Sequence, residues 1–479
     1  MSNSLVAGTF WSFLQRFGGM AIAFISNMTL ARLLCPEDFG TMGMIMVFVS
    51  FADVLVDGGL GNALIQKKII EEKDTSTVFS ANLLFSLFLF GLVFFVSPFI
   101  ESYTKVDKLS IYLRVLSVMI LTRALYTVPL SLLTKNMQFQ SLAKINVSAS
   151  CVSVIICIIM AYYNYGIWSL ICRNIMMDIL LVVCLFIKSK YVIKLGFDKK
   201  VFQELFNFGF FVVLSNIVEN LYSNAITFFT GKKYSIRELG YYNQAYSLQQ
   251  MPIYSLTSVL NQVLFPYFSK IQDNDSLVKD KLKTSIQMIT FFVFPLLVFL
   301  ICFAEQVITI IYSEKWLPCI PYFRLFCLAG FFNALIHINR SLLKSKGYSK
   351  TIFHIQLSNT IVGIILLLVF LQISMIATVM AFVANTILLY ILTTLLSGEK
   401  IGYNFKNQIK DVSINMILAV IAALPCLLFV HNIRCNVLII TILGLFFFGF
   451  IYLCLHIAIK TDIWNSLLKI INPTNKNRI

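Results

Sequence analysis

GTFWSFLQRFGGMAIAFISNMTLARLLCPEDFGTMGMIMVFVSFADVLVDGGLGNALIQKK, residues Gly8 to Lys68, decides the fold. Apolar and small residues run from Gly8 to Leu34 and again from Phe39 to Ile65. Each run exceeds the roughly 20 residues that cross a ~30 Å hydrocarbon core. Between them Cys35-Pro36-Glu37-Asp38 predicts a tight turn, with proline where the second helix starts. The stretch reads as a helical hairpin across a membrane. Ionisable residues interrupt it: Arg16 in the first helix, Asp53 and Asp57 in the second. A charge at membrane depth is costly and faces a partner or a water-filled cavity. Counted along the helices, Arg16 and Asp57 both lie roughly 12 Å from the same face, at ~1.5 Å per residue. The two are therefore expected to pair.

The same pattern fills the chain. Its 479 residues are 58% hydrophobic and only 13% charged, and mean hydropathy is +0.83. Soluble domains carry about 25% charged residues, so a polytopic all-α membrane protein is expected. Apolar runs predict about fourteen spans and leave no room for a sizeable soluble domain. The first run is too long for a signal-peptide core and is read as a retained helix. Pro129, Pro252, Pro295 and Pro425 fall inside expected helices as kink positions. The 11 cysteines show no CxxC or Cys/His spacing and read as small buried hydrophobes, and no metal or cofactor motif is present.

The net charge of +16 is explained by topology rather than by nucleic acid. Lysines crowd alternate loops: Lys67, Lys68 and Lys73, then Lys135 and Lys144, then Lys188 to Lys200, with similar groups after residues 270, 344 and 400 and in the tail. The opposite loops hold fewer basic residues, among them Lys105, Lys232 and Lys315. The positive-inside rule then places both termini in the cytoplasm.

An internal repeat supports two halves. A shift of 210 aligns IYLRVLSVMILTRALYTVPLSLL (Ile111 to Leu133) with PYFRLFCLAGFFNALIHINRSLL (Pro321 to Leu343), matching Arg114 with Arg324. A shift of 200 sets Glu37-Asp38-Phe39-Gly40 against Arg237-Glu238-Leu239-Gly240. The expected organisation is a six-helix lobe over 1–187, a cytoplasmic linker over 188–203 and a second six-helix lobe over 204–396. Two helices over 411–459 and a cytoplasmic tail over 460–479 follow. An even number of helices between repeats makes them parallel, with a symmetry axis along the membrane normal.

The segment from Trp11 to Lys68, above all Leu30 to Gly40 and Asp57 to Gln66, resembles the signature of the polysaccharide transporter family. So do Arg123 to Phe139 and Ser313 to Trp316. These are Wzx-type oligosaccharide-lipid flippases of the multidrug/oligosaccharidyl-lipid/polysaccharide exporter superfamily. The resemblance implies two six-helix lobes around a cavity that opens alternately to each side. It implies a bacterial inner-membrane location and an undecaprenyl-diphosphate-linked sugar unit as substrate. Polysaccharide polymerase and chain-length machinery are the implied protein partners.

Such a substrate calls for a hydrated cavity with cations, arginine suiting diphosphate by its forked donors. Arg123, near mid-depth, is the leading diphosphate contact; a structural pair with Asp178 is its alternative. Arg16 lies on a small, polar stripe of the first helix. Asn216, Glu219 and Asn220 lie on a similar stripe of the seventh, and both stripes are expected to line the cavity. Arg340, near a cytoplasmic helix end, is a further phosphate contact or a topology anchor. Asp53, Asp57 and Asp178 are deep enough to bind a cation or proton. Arg114 and Arg324 are equally explained by snorkelling. No GxxxxGK[ST] loop appears, so an ATP-driven pump is disfavoured. A multidrug/cation antiporter of the same superfamily is the alternative. A polymerase or ligase, which needs a large outer loop, is weaker still.

Overall fold

A computed structural model describes the backbone of residues 2–57, 59–432 and 436–464 and most of their side chains. Every described element is helical. This follows from the composition, because a chain in hydrocarbon must satisfy its backbone polar groups within each segment. The helices are α1 (Ser2–Leu33), α2 (Pro36–Asp57), α3 (Leu60–Gln66), α4 (Glu72–Thr104), α5 (Leu109–Leu116) and α6 (Val118–Lys135). There follow α7 (Phe139–Tyr162), α8 (Ile167–Ser189), α9 (Lys199–Lys233), α10 (Ile236–Ile271), α11 (Asp275–Cys302) and α12 (Ala304–Ile311). A short 3-10 turn (Glu314–Cys319) leads to α13 (Ile320–Ser345), α14 (Ser349–Phe370), α15 (Met375–Ile401), α16 (Phe405–Asn432) and α17 (Val437–Ile459).

Among the described residues, 11 helical segments are long and apolar enough to cross a membrane. Spans were also expected over 8–34, 204–230 and 240–268; there the chain forms α1, α9 and α10, of 32, 35 and 36 residues. Three expected single spans are divided. Residues 39–65 break after Asp57, where Gly59 takes a φ of 67°. Left-handed backbone costs glycine nothing, so the ladder gives way at Gly59. Residues 109–134 divide at Ser117, and residues 284–312 divide at Phe303. The helices continue through Pro129, Pro252, Pro295 and Pro425.

The first turn is tighter than its four residues suggest, because Pro36, Glu37 and Asp38 already form the first turn of α2. The Cys35 N–H donates to Asp38 Oδ2 at 3.0 Å, and acidic side chains suit a helix N-terminus.

Contacts divide the chain into Met1–Asn243 and Gln244–Ile479. In the first unit α2 lies against α4, α6, α8 and α9, while α1 packs on α7 and α7 on α8. In the second, α11 packs on α13 and α16, α15 on α13 and α14, and α17 on α16. The repeat is visible in matched anchoring. Arg114 Nε donates to the Phe94 carbonyl at 3.2 Å and to Ser97 Oγ at 3.1 Å, and Arg324 Nε donates to the Ile301 carbonyl at 3.2 Å. Each arginine thus binds backbone of an earlier helix in its own unit.

Candidate functional site

The site is built on the broken span. Helix α2 carries Asp53 one turn before the break, and α6 and α8 bring Arg123 and Asp178 to it. Arg123 Nε lies 3.1 Å from Asp53 Oδ1 and 4.0 Å from Asp178 Oδ2. The Asp178 carboxylate also accepts from Thr122 Oγ1 at 3.2 Å. Asp53 and Asp178 are nearly sealed, their side chains 11% and 6% exposed, whereas Arg123 keeps 35%. One guanidinium therefore serves two buried carboxylates, the nearer being Asp53. The exposed part of Arg123 reaches a cavity of about 400 Å³ between α2, α3 and α6. Its polar lining includes Asp53, Asn62, Arg123, Tyr126, Thr127, Ser131 and Thr134.

Two bonds hold this wall. Thr127 Oγ1 donates to the Arg123 carbonyl at 2.8 Å, within α6. Ser131 Oγ donates to the Gly61 carbonyl at 3.2 Å, tying α6 to α3 just past the break. Below α3 the charges are paired. Lys67 Nζ donates to Asp74 Oδ1 at 2.7 Å, and Asp74 Oδ2 accepts from the Glu71 N–H at 2.9 Å. The hydrogen bond with Asp74 raises the Lys67 ammonium above the usual lysine range. Lys135 Nζ donates to the Lys67 carbonyl.

The stretch from Lys188 to Lys200 is strapped to the first turns of α4. Lys194 pairs with Glu72 at 2.7 Å, Gly196 N–H donates to Ser80 Oγ at 3.1 Å, and Asp198 N–H donates to Thr77 Oγ1 at 3.1 Å. Asp198 in turn caps α9, accepting from the Lys200 and Val201 N–H groups at 2.8 and 3.3 Å. Those bonds, Val201's foremost, hold its carboxyl below the ordinary aspartate range.

At the Cys35 end the two segments matched by the 200-residue shift meet. A Cβ on Gly40 would sit 1.9 Å from the Ile236 carbonyl oxygen, and one on Gly240 would sit 1.9 Å from that of Pro36. Arg237 Nε lies 3.4 Å from Glu37 Oε1 across the same crossing. Reciprocal contact of repeat-equivalent backbones is possible only because both positions lack a side chain.

Other expected site residues are placed as follows. Arg340 of α13 donates to Gln356 Oε1 of α14. Asn220 is half-buried on α9. The side chains of Arg16, Asp57, Asn216 and Glu219 lie outside the described residues, and with them the expected Arg16–Asp57 pair. The Arg123–Asp53 pair is the feature that sequence reading missed. Both residues stood out as charges in apolar runs, but no spacing links α2 to α6.

A family profile described as polysaccharide biosynthesis protein matches residues 29–321. The chain is 24% identical over 356 residues to the teichuronic acid biosynthesis protein TuaB of Bacillus subtilis, covering 74% of each protein. It is 25% identical over 320 residues to the succinoglycan biosynthesis transport protein ExoT of Rhizobium meliloti, covering 67% of this chain and 65% of that one. Its fold is similar to that of the lipid II flippase MurJ in an inward closed conformation. That likeness has a TM-score of 0.76 at 20% identity, over 95% of this chain and 100% of the other. The profile spans more than half of the chain, from the end of α1 into α13, and this multi-pass membrane protein belongs to the polysaccharide biosynthesis protein family.

Proposed function

We propose that the protein is a flippase rather than an enzyme. It moves a polyprenyl-diphosphate-linked oligosaccharide from the cytoplasmic to the outer leaflet by alternating access, for surface polysaccharide assembly. The observation that carries this is the Arg123 cavity. It holds a part-exposed guanidinium, hydroxyls and an amide, placed within helices long enough to span a bilayer. Arginine offers forked donors to phosphate, and hydroxyls and amides suit sugars. Relatives named for teichuronic acid and succinoglycan biosynthesis, and a structural neighbour named a lipid II flippase, support the same class of substrate.

In this reading Arg123 is the main diphosphate contact, and Arg16, Asn216, Glu219, Asn220 and Arg340 add polar contacts. Asp53, Asp57 and Asp178 take up the coupling ion or proton. Incoming phosphate competes with Asp53 for Arg123. The lobes are 1–187 and 204–396, with helices over 411–459 appended, and both termini face the cytoplasm of a bacterial inner membrane. Polysaccharide polymerase and chain-length machinery receive the product.

The test is translocation of a fluorescent polyprenyl-diphosphate oligosaccharide in proteoliposomes. Transport by the wild-type chain and its loss in a correctly inserted Arg123→Ala variant are expected, with Arg123→Lys recovering only part. Efflux of organic cations without lipid-linked glycan movement would instead make the chain an antiporter.

A further inference from the structure

The strap between α8 and α9 has two faces. Lys190 takes a φ of 54° and turns the chain out of α8. Tyr191 then packs between the rings of Phe79 and Phe186, at 6.0 and 6.1 Å. Beyond it Lys194, Gly196 and Asp198 bond to α4, and Ile193, Leu195 and Phe197 alternate with them. Those three are 49%, 73% and 57% exposed, and Val192 before them is 68% exposed. Alternation by twos is the mark of a non-helical segment with one side against its own protein. The other side is hydrocarbon.

Four exposed apolar side chains within six residues form a patch that calls for a covering partner. Their depth says what covers them. The pins Thr77 and Ser80 flank Val78 and Phe79, where α4 passes from Glu72, Lys73 and Asp74 into its apolar run. Ile187, in the last turn of α8 just before the strap, is itself 73% exposed. The row therefore lies where bilayer hydrocarbon gives way to head groups, the depth at which apolar side chains of an interfacial segment enter a leaflet.

Charge selects the head group. The acids of this face are engaged: Glu72 by Lys194, Asp74 by Lys67, and Asp198 by the first N–H groups of α9. Lys188, Lys190 and Lys199 are exposed and, among the described residues, pair with no acid. Unneutralised lysines on both flanks of an apolar row complement an anionic interface. Each lysine at such a surface strengthens association by about fivefold.

We infer that residues 187–200 are a docking surface for anionic phospholipid of the surrounding bilayer. Val192, Ile193, Leu195 and Phe197 enter the acyl boundary, and Lys188, Lys190 and Lys199 hold the phosphates. The surface faces the cytoplasmic leaflet of the proposed topology and is independent of what the chain transports. Through the bonds to Glu72, Thr77 and Ser80, lipid held there bears on α4 and the start of α9 together.

The experiment uses the full chain in phosphatidylethanolamine liposomes containing equal amounts of phosphatidylglycerol and phosphatidylcholine. One of these two carries a diazirine near its glycerol in each run, and adducts are mapped by mass spectrometry. The turn at Ile373 and Ile376, 68% and 41% exposed in a stretch without charged residues from 361 to 398, is the reference. The ratio of phosphatidylglycerol to phosphatidylcholine adducts within 187–200 should be at least fivefold that at the reference. Replacing Lys188, Lys190 and Lys199 together by Gln should bring it within twofold of the reference while adducts persist. Leu195→Asp should lower adducts of both lipids at least threefold. If the triple variant does not fold, the wild-type ratio decides alone. A wild-type ratio equal to the reference, or one unchanged in a folded triple variant, would overturn the proposal. Strap adducts missing while the reference is labelled would leave the row to water or a partner protein and overturn it too. Displacement of phosphatidylglycerol by equimolar polyprenyl diphosphate would assign the surface to the carrier lipid instead. None of these readouts involves transport, so they are decided separately from the flippase reading.

Discussion

Removing Arg123 should cost more than removing either acid that it serves. In Arg123→Ala two carboxylates, 11% and 6% exposed, lose together the guanidinium they share. Breaking a buried pair by deleting one partner costs about 3–5 kcal/mol, because a buried charge is left uncompensated. Arg123 keeps 35% of its side chain exposed, so water screens part of the loss and a value near ~3 kcal/mol is expected. Asp53→Asn is milder. It leaves the guanidinium part-exposed and still 4.0 Å from Asp178, for a cost of about 1 kcal/mol. The double variant should cost less than the sum of the singles, since the residues share one network. Thermal unfolding of purified, detergent-solubilised protein reads all three. The reasoning fails if Asp53→Asn matches or exceeds Arg123→Ala, or if the two effects simply add.

Three further outcomes follow from other parts of the molecule. Gly40→Ala and Gly240→Ala each place a methyl 1.9 Å from a carbonyl oxygen on the facing helix. Each should cost about 1–3 kcal/mol, and less than additively together because both push the same crossing apart; unchanged melting temperatures would contradict the contact. Asp198 caps α9 with a carboxyl held below its ordinary value. Its contribution is present above the unfolded aspartate range and is lost as pH falls through the lower folded value. Protection of the Lys200 and Val201 amides against hydrogen exchange, relative to their intrinsic rates, should therefore be present at neutral pH and fall under acid, whereas an Asp198→Ala variant should lack it throughout. Cysteines placed at Lys105, Lys232 and Lys315 should react with an impermeant reagent from outside, and those at Lys194 and Lys279 should not; the reverse pattern would invert the topology.

The membrane class and helix positions were legible because hydropathy is local: apolar runs end where lysines cluster. Site membership was partly legible for the same reason, since Asp53, Arg123 and Asp178 stand out in apolar surroundings. Their pairing was not. Arg123 was expected to contact diphosphate, with a pair to Asp178 as the alternative; Asp178 lies 4.0 Å away and Asp53, on another helix, lies nearer at 3.1 Å. The break at Gly59 had a signal in Gly58-Gly59 that the surrounding hydrophobicity masked. The repeat was readable at Arg114 and Arg324 in the matched sequence itself; each donates to a carbonyl of an earlier helix, Phe94 and Ile301 respectively.

The strap between α8 and α9 changes what the linker can transmit. A lysine-rich connector is usually pictured as slack rope, free to let its two ends wander. Here Lys194, Gly196 and Asp198 are pinned at successive points to Glu72, Ser80 and Thr77, and the last pin is also the first cap of α9. The arrangement is a hinge plate: α4 cannot tilt without dragging the start of α9 with it. Residues inserted between Gly196 and Asp198 would unfasten the plate.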